Sequence, residues 1–459
     1  MTGLGAPLEA VLVAERGSAR PGGLLAVRVP ISLSPEAAFA GASARGETTW
    51  FWDSTQSDAV EREVFAGIGE VHRIEASGAD RFARVKREAA EVLARTTTAP
   101  RSLAAARWVG SFTFAPERDP DVAWPSPGAT FVLPRATVSQ RPGEGSFLTV
   151  VARAAELERP DTLAGEIEAS LQARPALPAR LRAPRVVCDG AANFVRAVEE
   201  ALVAIGRDDL IKVVLSRKAS VEGAPPADVV LSRLGPATGA VRFAFGLDGA
   251  TFLGASPELL AAVTKRNLST EALAGTEPRG GADLAEVQRL LVRDKDRREH
   301  ELVVSAIEAV LDELGAVGAR GETRVRTLGT VHHLVTPFSA PLPSDTSLLD
   351  VVGRMHPTPA LGGAPRGRAL SFVAARERRG PYAAPVGWLD ARGDGAFVVG
   401  IRSLLLVGGR ATVYAGAGIV EGSVPALELA ETRAKESGML RALGVGSAPP
   451  SGRRREARA

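Results

Sequence analysis

Several charged residues stand where the hydrophobic patterning asks for apolar ones. Lys212 lies in DLIKVVLSRK (209–218), where Ile211, Val213 and Leu215 alternate on one strand face and Lys212 shares the other with Val214. A lysine placed there reaches water, meets an acid or takes part in chemistry. As a base it needs its neutral amine, the form that burial favours. Glu299 extends an inward row with Val303, Ile307 and Val310 or Leu311 at helical spacing, whereas Glu301 and Glu308 share another face and read as solvent charges. In the last helix, Val424, Glu428, Glu431, Lys435, Met439 and Ala442 form one stripe, apolar at its ends and charged in its middle. Its Glu431–Lys435 spacing fits an ordinary solvated i,i+4 pair as well as an inward charged patch. Two helices that each carry a carboxylate into an apolar stripe suggest a hard-cation site. Magnesium takes oxygen ligands, often one or two carboxylates with waters and an anionic substrate.

Two further positions are open between a plain and a chemical role. In GASPELLAAV, Pro257 holds Ser256 extended, and Glu258 precedes an apolar run. Glu258 can cap that segment, sit exposed, or serve as an acid at the mouth of a sheet; exposure is the ordinary fate of a glutamate. In VVGIRSLLLV, Val398, Gly400, Arg402 and Leu404 share a face, so Arg402 either captures a carboxylate with its planar fork or guards a sheet edge. The histidines exclude more than they offer. His332, His333 and His356 fall in loop-like segments and show no zinc spacing. GASPE is not a hydrolase elbow, and LGGAPRGRA lacks the ending of a phosphate-binding loop.

The elements that must position these residues are mixed. LLAVRVPISL and RWVGSFTF read as strands, APERDPDVAWPSPG as a loop and RPGEGS as a turn, while KREAAEVLART and DTLAGEIEASLQAR are helical. Residues 173–186 are a linker candidate. FAFGLDGATFLGAS predicts a hairpin turning at Asp248–Gly249, and GAFVVGIRSLLLVGGRATVYAGAGIV another at Gly408–Gly409. AEVQRLLVRDKDRREHELVVSAIEAVLDELGA reads as one long helix, and VPALELAETRAKESGMLRALG as a last one ended by glycine. Hairpins mixed with long helices indicate an α+β fold with antiparallel sheet.

With 459 residues, 45% hydrophobic and 24% charged, the chain has the composition of a globular protein with a large core. Length alone suggests about three domains. No apolar run spans a membrane, no secretory signal is read, and one cysteine, Cys188, leaves no disulfide framework; a cytoplasmic, membrane-free protein is expected. The net charge of +3 comes from 56 basic and 53 acidic residues, and part of the excess sits in the tail SGRRREARA. With 5% aromatics and dispersed arginine, no nucleic-acid partner is expected.

KVVLSR, FLGASPELL, EALAGTEPRGG, KDRREHELVV, VHHLVTP, HPTPALGGAPR, GPYAAPVGWLD, FVVGIRS and YAGAGIVEGSVPALELAETRAK, in this order, resemble the chorismate-utilising enzymes (anthranilate synthase component I-like), and within them the isochorismate synthases. They cover about 190–445; RWVGSFTF and FVLPRATV look like the weaker N-terminal signature. The resemblance implies an α/β sandwich of two large, mostly antiparallel sheets with helices outside. It overrides the three-domain count. Residues 1–190 become the N-terminal part of one fold, 191–446 the chorismate-binding catalytic region and 447–459 a disordered basic tail.

The resemblance also implies roles. Lys212 matches the base that activates water to attack C2 of chorismate, and Glu258 the acid that protonates the departing C4 hydroxyl. Glu299 and Glu431 match magnesium ligands, with Glu428 a third carboxylate acting through water. Arg402 and Lys435 match residues that hold substrate carboxylates. Ile401, Ala360, Leu361 and Gly416 match pocket positions, and Ala274, Gly275 and Thr276 the turn beside the ring. Anthranilate synthases typically carry glutamine in place of Lys212, and aminodeoxychorismate synthases a lysine nucleophile in place of Ala274. Salicylate synthases share the lysine, the acid and the metal site and then eliminate pyruvate. The implied enzyme is a monomeric isochorismate synthase, of menaquinone or siderophore biosynthesis. One departure is Ala384, where the family often has the glycine of GPYAGPVGW.

Overall fold

The structure is a computed structural model that describes residues 3–99, 106–172, 183–236, 238–281, 283–328 and 331–446. The expected tail at 447–459 and most of the linker at 173–186 lie outside the described residues. What is described of that linker leads into a short strand, Arg185–Cys188. No helix among the described residues is long and apolar enough to cross a membrane.

Two sheets of 13 and 10 strands among the described residues are packed face to face, as the resemblance implies. In the larger sheet Lys212–Glu222 pairs antiparallel with Arg410–Val420. That strand pairs with Ser403–Val407, which pairs with Ala250–Ser256, and the order continues through Val241–Leu247 to Thr49–Asp53 and Val64–Ile68. In the smaller sheet Val331–Pro341, Asn267–Pro278, Leu259–Thr264, Gly395–Val399, Pro385–Asp390 and Arg107–Phe112 follow one another. Strands from the first 190 residues are therefore interior members of both sheets.

Local chemistry explains the hairpins. Asp248 and Gly249 have φ of 46° and 82°, and Gly408 and Gly409 have 54° and 76°, so both predicted turns bend through two left-handed residues whose twist matches the flanking strands. Between the sheets lies an aromatic core. Trp50 and Trp124 each meet Phe245 edge-on at 5.5 and 5.6 Å, and Phe65 of one sheet meets Trp388 of the other at 6.0 Å. The Pro425–Leu443 helix packs on Arg410–Val420 from outside, and Asp294–Glu313 packs on Asn267–Pro278.

Some sequence expectations are corrected. The long helix is two, Asp283–Val292 and Asp294–Glu313, broken where Arg293 turns extended at ψ 115°. Asp294 and Asp296 then occupy the first turn of the second helix, where carboxylates suit the exposed N–H groups. His332 and His333 are buried strand residues, not loop residues. Ile211 is 57% exposed rather than packed beside Val213.

Candidate active site

Two neighbouring strands leave one sheet and join the other at the same level. Ala250–Ser256 and Ser403–Val407 pair in the larger sheet, whereas their continuations Leu259–Thr264 and Gly395–Val399 pair in the smaller one. Glu258 and Gly400–Arg402 are the joints, and they are stitched by backbone bonds: Ala255 N donates to Arg402 O at 3.1 Å and Val399 N to Glu258 O at 3.0 Å. Arg402 is thus not a strand residue sharing a face with Val398 and Leu404. It takes a left-handed φ of 49°, a conformation costly for a side chain with a Cβ and concentrated at functional sites. Ala383 beside it has φ 60°, whereas Ala384, the departure from the family motif, is buried without a left-handed φ.

A cavity of about 680 Å³ opens at these joints. It is walled by Glu258 and Arg402, by Ala274, Gly275 and Thr276, by Ala360, Leu361, Ile401 and Gly416, by Glu299, and by Glu428, Glu431 and Lys435. Lys212 alone among the residues singled out from the sequence is not part of this wall. It lies beneath it, 1% exposed, with Nζ 2.7 Å from Glu299 Oε1. The question raised by its strand position has a structural answer: the lysine meets an acid that faces the cavity.

Gly418 makes room for that pair. A Cβ there would lie 3.0 Å from Glu299 Oε1 and 3.1 Å from Lys212 Cε. Both atoms are far ends of flexible side chains, so the fold can absorb a methyl group while the pair is displaced. Gly418→Ala is expected to lower turnover about 10–100-fold with little change in melting temperature. Wild-type turnover in this variant would show that the position of the pair is unimportant.

The electrostatics separate the acid from its neighbours. Burial, reinforced by Glu271 and opposed by Lys212 and Lys435, pushes the Glu258 carboxyl up to about 8. Glu258 is therefore a proton donor at neutral pH, and its expected exposure is not found. Burial lowers the Arg402 guanidinium, with Tyr382 and Glu431 acting in the opposite sense. Arg402 makes no side-chain hydrogen bond among the described residues, so its donors are available to an anion in the cavity. Lys435 donates to Gly416 O at 3.0 Å and pairs with Glu431 at 2.6 Å, so the i,i+4 pair is present and is also part of the wall.

A family model described as chorismate binding enzyme matches residues 13–444. The chain belongs to this family. Salicylate biosynthesis isochorismate synthase of Pseudomonas aeruginosa is 35% identical over 422 residues, 86% of each chain. Anthranilate synthase component 1 of Arthrobacter globiformis is also 35% identical, over 267 residues covering 55% of this chain and 50% of that one. Among solved structures, MenF, the menaquinone-specific isochorismate synthase of Escherichia coli, shares the fold with a TM-score of 0.77 at 24% identity, over 95% of this chain and 99% of that one.

In this chorismate-binding enzyme the cavity holds groups that sequence reasoning did not assign. His333 lines it, and burial holds its imidazole down to about 3, hence neutral. Its Nδ1 lies 3.0 Å from Gly275 O, which can only accept, so Nδ1 carries the proton and the buried Nε2 is an acceptor without a hydrogen-bond partner among the described residues. The available signal is its place two residues after Val331 and two before Val335 in an apolar run. Tyr382, stacked on Tyr414 at 5.1 Å, and Asp296, one helical turn before Glu299, also face the cavity.

The donor set suits a hard divalent cation: three glutamates supply only oxygen. Among the described residues no group of three or more acidic, histidine or cysteine side chains is arranged to hold a metal ion. Magnesium needs fewer, since it keeps several waters and commonly takes one or two protein carboxylates. Glu299 Oε1 and Glu431 Oε1 already accept from lysines.

Proposed function

We propose that this enzyme converts chorismate to isochorismate. Water adds at C2 and its proton passes to Lys212. The C4–oxygen bond breaks as Glu258 gives its proton to the departing hydroxyl, and the ring double bonds shift between the two centres. One water enters and one leaves, and proton exchange with solvent returns Lys212 to its neutral and Glu258 to its protonated form, so the net reaction is a reversible isomerisation. The observation that carries this reading is Glu258: a buried carboxyl, protonated near neutrality, in the wall of a cavity whose Glu299 is bonded to a buried lysine. Water is a weak nucleophile and hydroxide a poor leaving group, so both need a positioned proton transfer, each worth about 10²–10⁴-fold. Lysine rather than glutamine at 212 favours water over ammonia, and alanine at 274 offers no covalent nucleophile. Arg402 and Lys435 hold the substrate carboxylates. Glu299 and Glu431 would hold magnesium, with Glu428 through water, and the cation would neutralise and orient the ring carboxylate.

Chorismate incubated with the enzyme and magnesium, without ammonia or glutamine, is expected to settle to a stable chorismate–isochorismate mixture, reached from either side. EDTA is expected to stop it and added magnesium to restore it; activity that survives thorough chelation removes the cation from the reaction. Salicylate and pyruvate formed at an enzyme-dependent rate would make it a salicylate synthase, and untouched chorismate would overturn the reading. Menaquinone as the destination of the product is carried by the sequence resemblance. The relative matching along nearly the whole chain bears a name from salicylate biosynthesis.

A further inference from the structure

The strand that carries Lys212 has a complete neighbour on one side only. Arg410–Val420 covers it from Lys212 to Glu222. On the other edge, Lys212 and Val213 pair with Ala364 and Gly363, and Ser220 to Glu222 pair with the 185–188 strand. Among the described residues no strand covers 214–219 there. In a buried strand such backbone groups need partners: Val214 N donates to the backbone Gly362 O at 3.1 Å, and beyond it a pair of side chains takes over. Val214 O accepts from Arg379 Nη2 at 2.6 Å, and Ser216 N donates to Glu377 Oε1 at 2.7 Å. Ser216 Oγ donates to Glu377 Oε2 at 2.5 Å, and Arg379 Nε to the same oxygen at 2.9 Å.

Arg379 reaches further. Its Nη1 donates to Leu361 O at 2.8 Å, its guanidinium lies 4.3 Å over the Phe114 ring, and its carbonyl accepts from Tyr382 N at 3.1 Å. The planar fork thus ties the Lys212 strand to Leu361 in the cavity wall, and the Arg379 backbone carbonyl ties the same residue to Tyr382. Both side chains of the pair are buried, Arg379 at 1% and Glu377 at 8% exposure. A lysine has its three donors on one nitrogen and cannot reach Val214 O, Leu361 O and Glu377 Oε2 as the separate nitrogens of the fork do.

We propose that Glu377 and Arg379 are positioning residues that stand in for the missing strand neighbour and fix the Lys212 strand against the wall of the active site. Arg379 also touches the cavity, whereas Glu377 does not line it, so an effect of Glu377 on turnover acts through the strand. The proposal rests on the isochorismate synthase reading for its kinetic consequence but not for its structural one.

The test uses the full chain with Glu377→Gln, Arg379→Lys and the double variant. In Glu377→Gln the new amide keeps an acceptor for Ser216 N but turns donors toward Arg379. Each single variant is expected to lower kcat about 10–100-fold with KM within about threefold, since a displacement near 1 Å is enough. The double variant should be no worse than the poorer single one, because the two act as a unit. Arg379→Ala should regain turnover with added ethylguanidinium. Hydrogen exchange of segments 212–217 and 360–363 should rise at least about tenfold in Glu377→Gln, as expected of a strand edge that has lost its partners. Ser216→Ala, which removes one hydroxyl bond, should show the same exchange change in milder form if the others fold poorly. Wild-type kcat in both single variants would overturn the proposal, as would a pure KM effect confined to Arg379→Lys. If the wild-type enzyme leaves chorismate untouched, the functional reading fails alone. The exchange data then still decide: raised exchange supports the positioning pair and unchanged exchange overturns it.

Discussion

Lys212→Ala is expected to lose at least about 10²–10⁴-fold in turnover while chorismate binding persists. The loss follows from chemistry that nothing else nearby replaces. The Lys212 side chain is buried, bonded to Glu299 and packed beside Gly418, and the lysine that lines the cavity wall, Lys435, is held by Glu431 and Gly416 O. Binding persists because Arg402 and Lys435 remain to meet the carboxylates. Alanine also leaves the space of the lysine stem empty, so Lys212→Met, which fills it, should show the same kinetic loss with a higher melting temperature. Steady-state rates with ligand titration by intrinsic fluorescence decide the matter. Near-normal turnover in the methionine variant would assign the base elsewhere.

Glu258→Gln is expected to be almost inactive and more stable than the parent. The carboxyl rises from 4.5 to about 8 on folding, chiefly through burial. In the unfolded chain it ionises above about 4.5, whereas in the folded enzyme it stays protonated until about 8. The unfolded state therefore holds fewer protons between these values, and folding stability falls as pH rises through that window and levels off above it. At pH 7 the penalty is at most about 3 kcal/mol. Glutamine has no proton to lose, so its melting temperature should exceed that of the parent at pH 7 and converge with it near pH 4. The kinetic sign is the same: wild-type kcat/KM should fall as pH rises through about 8, when the acid is spent. Thermal melts at pH 4 and 7, with a pH–rate profile, check both. A variant less stable at pH 7 would mean that glutamine loses more in packing than the acid loses in burial.

What is legible in the sequence is what local chemistry determines. Asp248–Gly249 and Gly408–Gly409 turn where their conformational freedom allows, and the charged middle of the last helix stands out because helical spacing alone places Glu428, Glu431 and Lys435 together. The sheet switch is not legible. The alternation of GAFVVGIRSLLLV runs straight through Gly400–Arg402, so nothing local marks the point where the strand changes sheets, and the pattern puts Arg402 on a face it does not share. Glu258 is hard to read for the same reason, since its burial comes from strands far away in sequence. His333 reads as a loop residue without a role because histidine in an apolar strand has no motif, only a packing environment. The extended residue Arg293 hides inside an otherwise helical pattern because its side chain is tied by Glu277 and Asp296 rather than by a proline or glycine.

The pairing of Lys212–Glu222 with Arg410–Val420 has a consequence during synthesis. A ribosome adding roughly 5–20 residues per second needs ~10–40 s to travel from Glu222 to Arg410. Throughout that interval the nascent strand bearing Lys212 has no partner along its longest edge. It is an open template for mispairing with other chains. Catalytic competence and protection from aggregation are therefore acquired together, once Arg410–Val420 has been made, and a chaperone that shields this one edge would govern the yield of active enzyme.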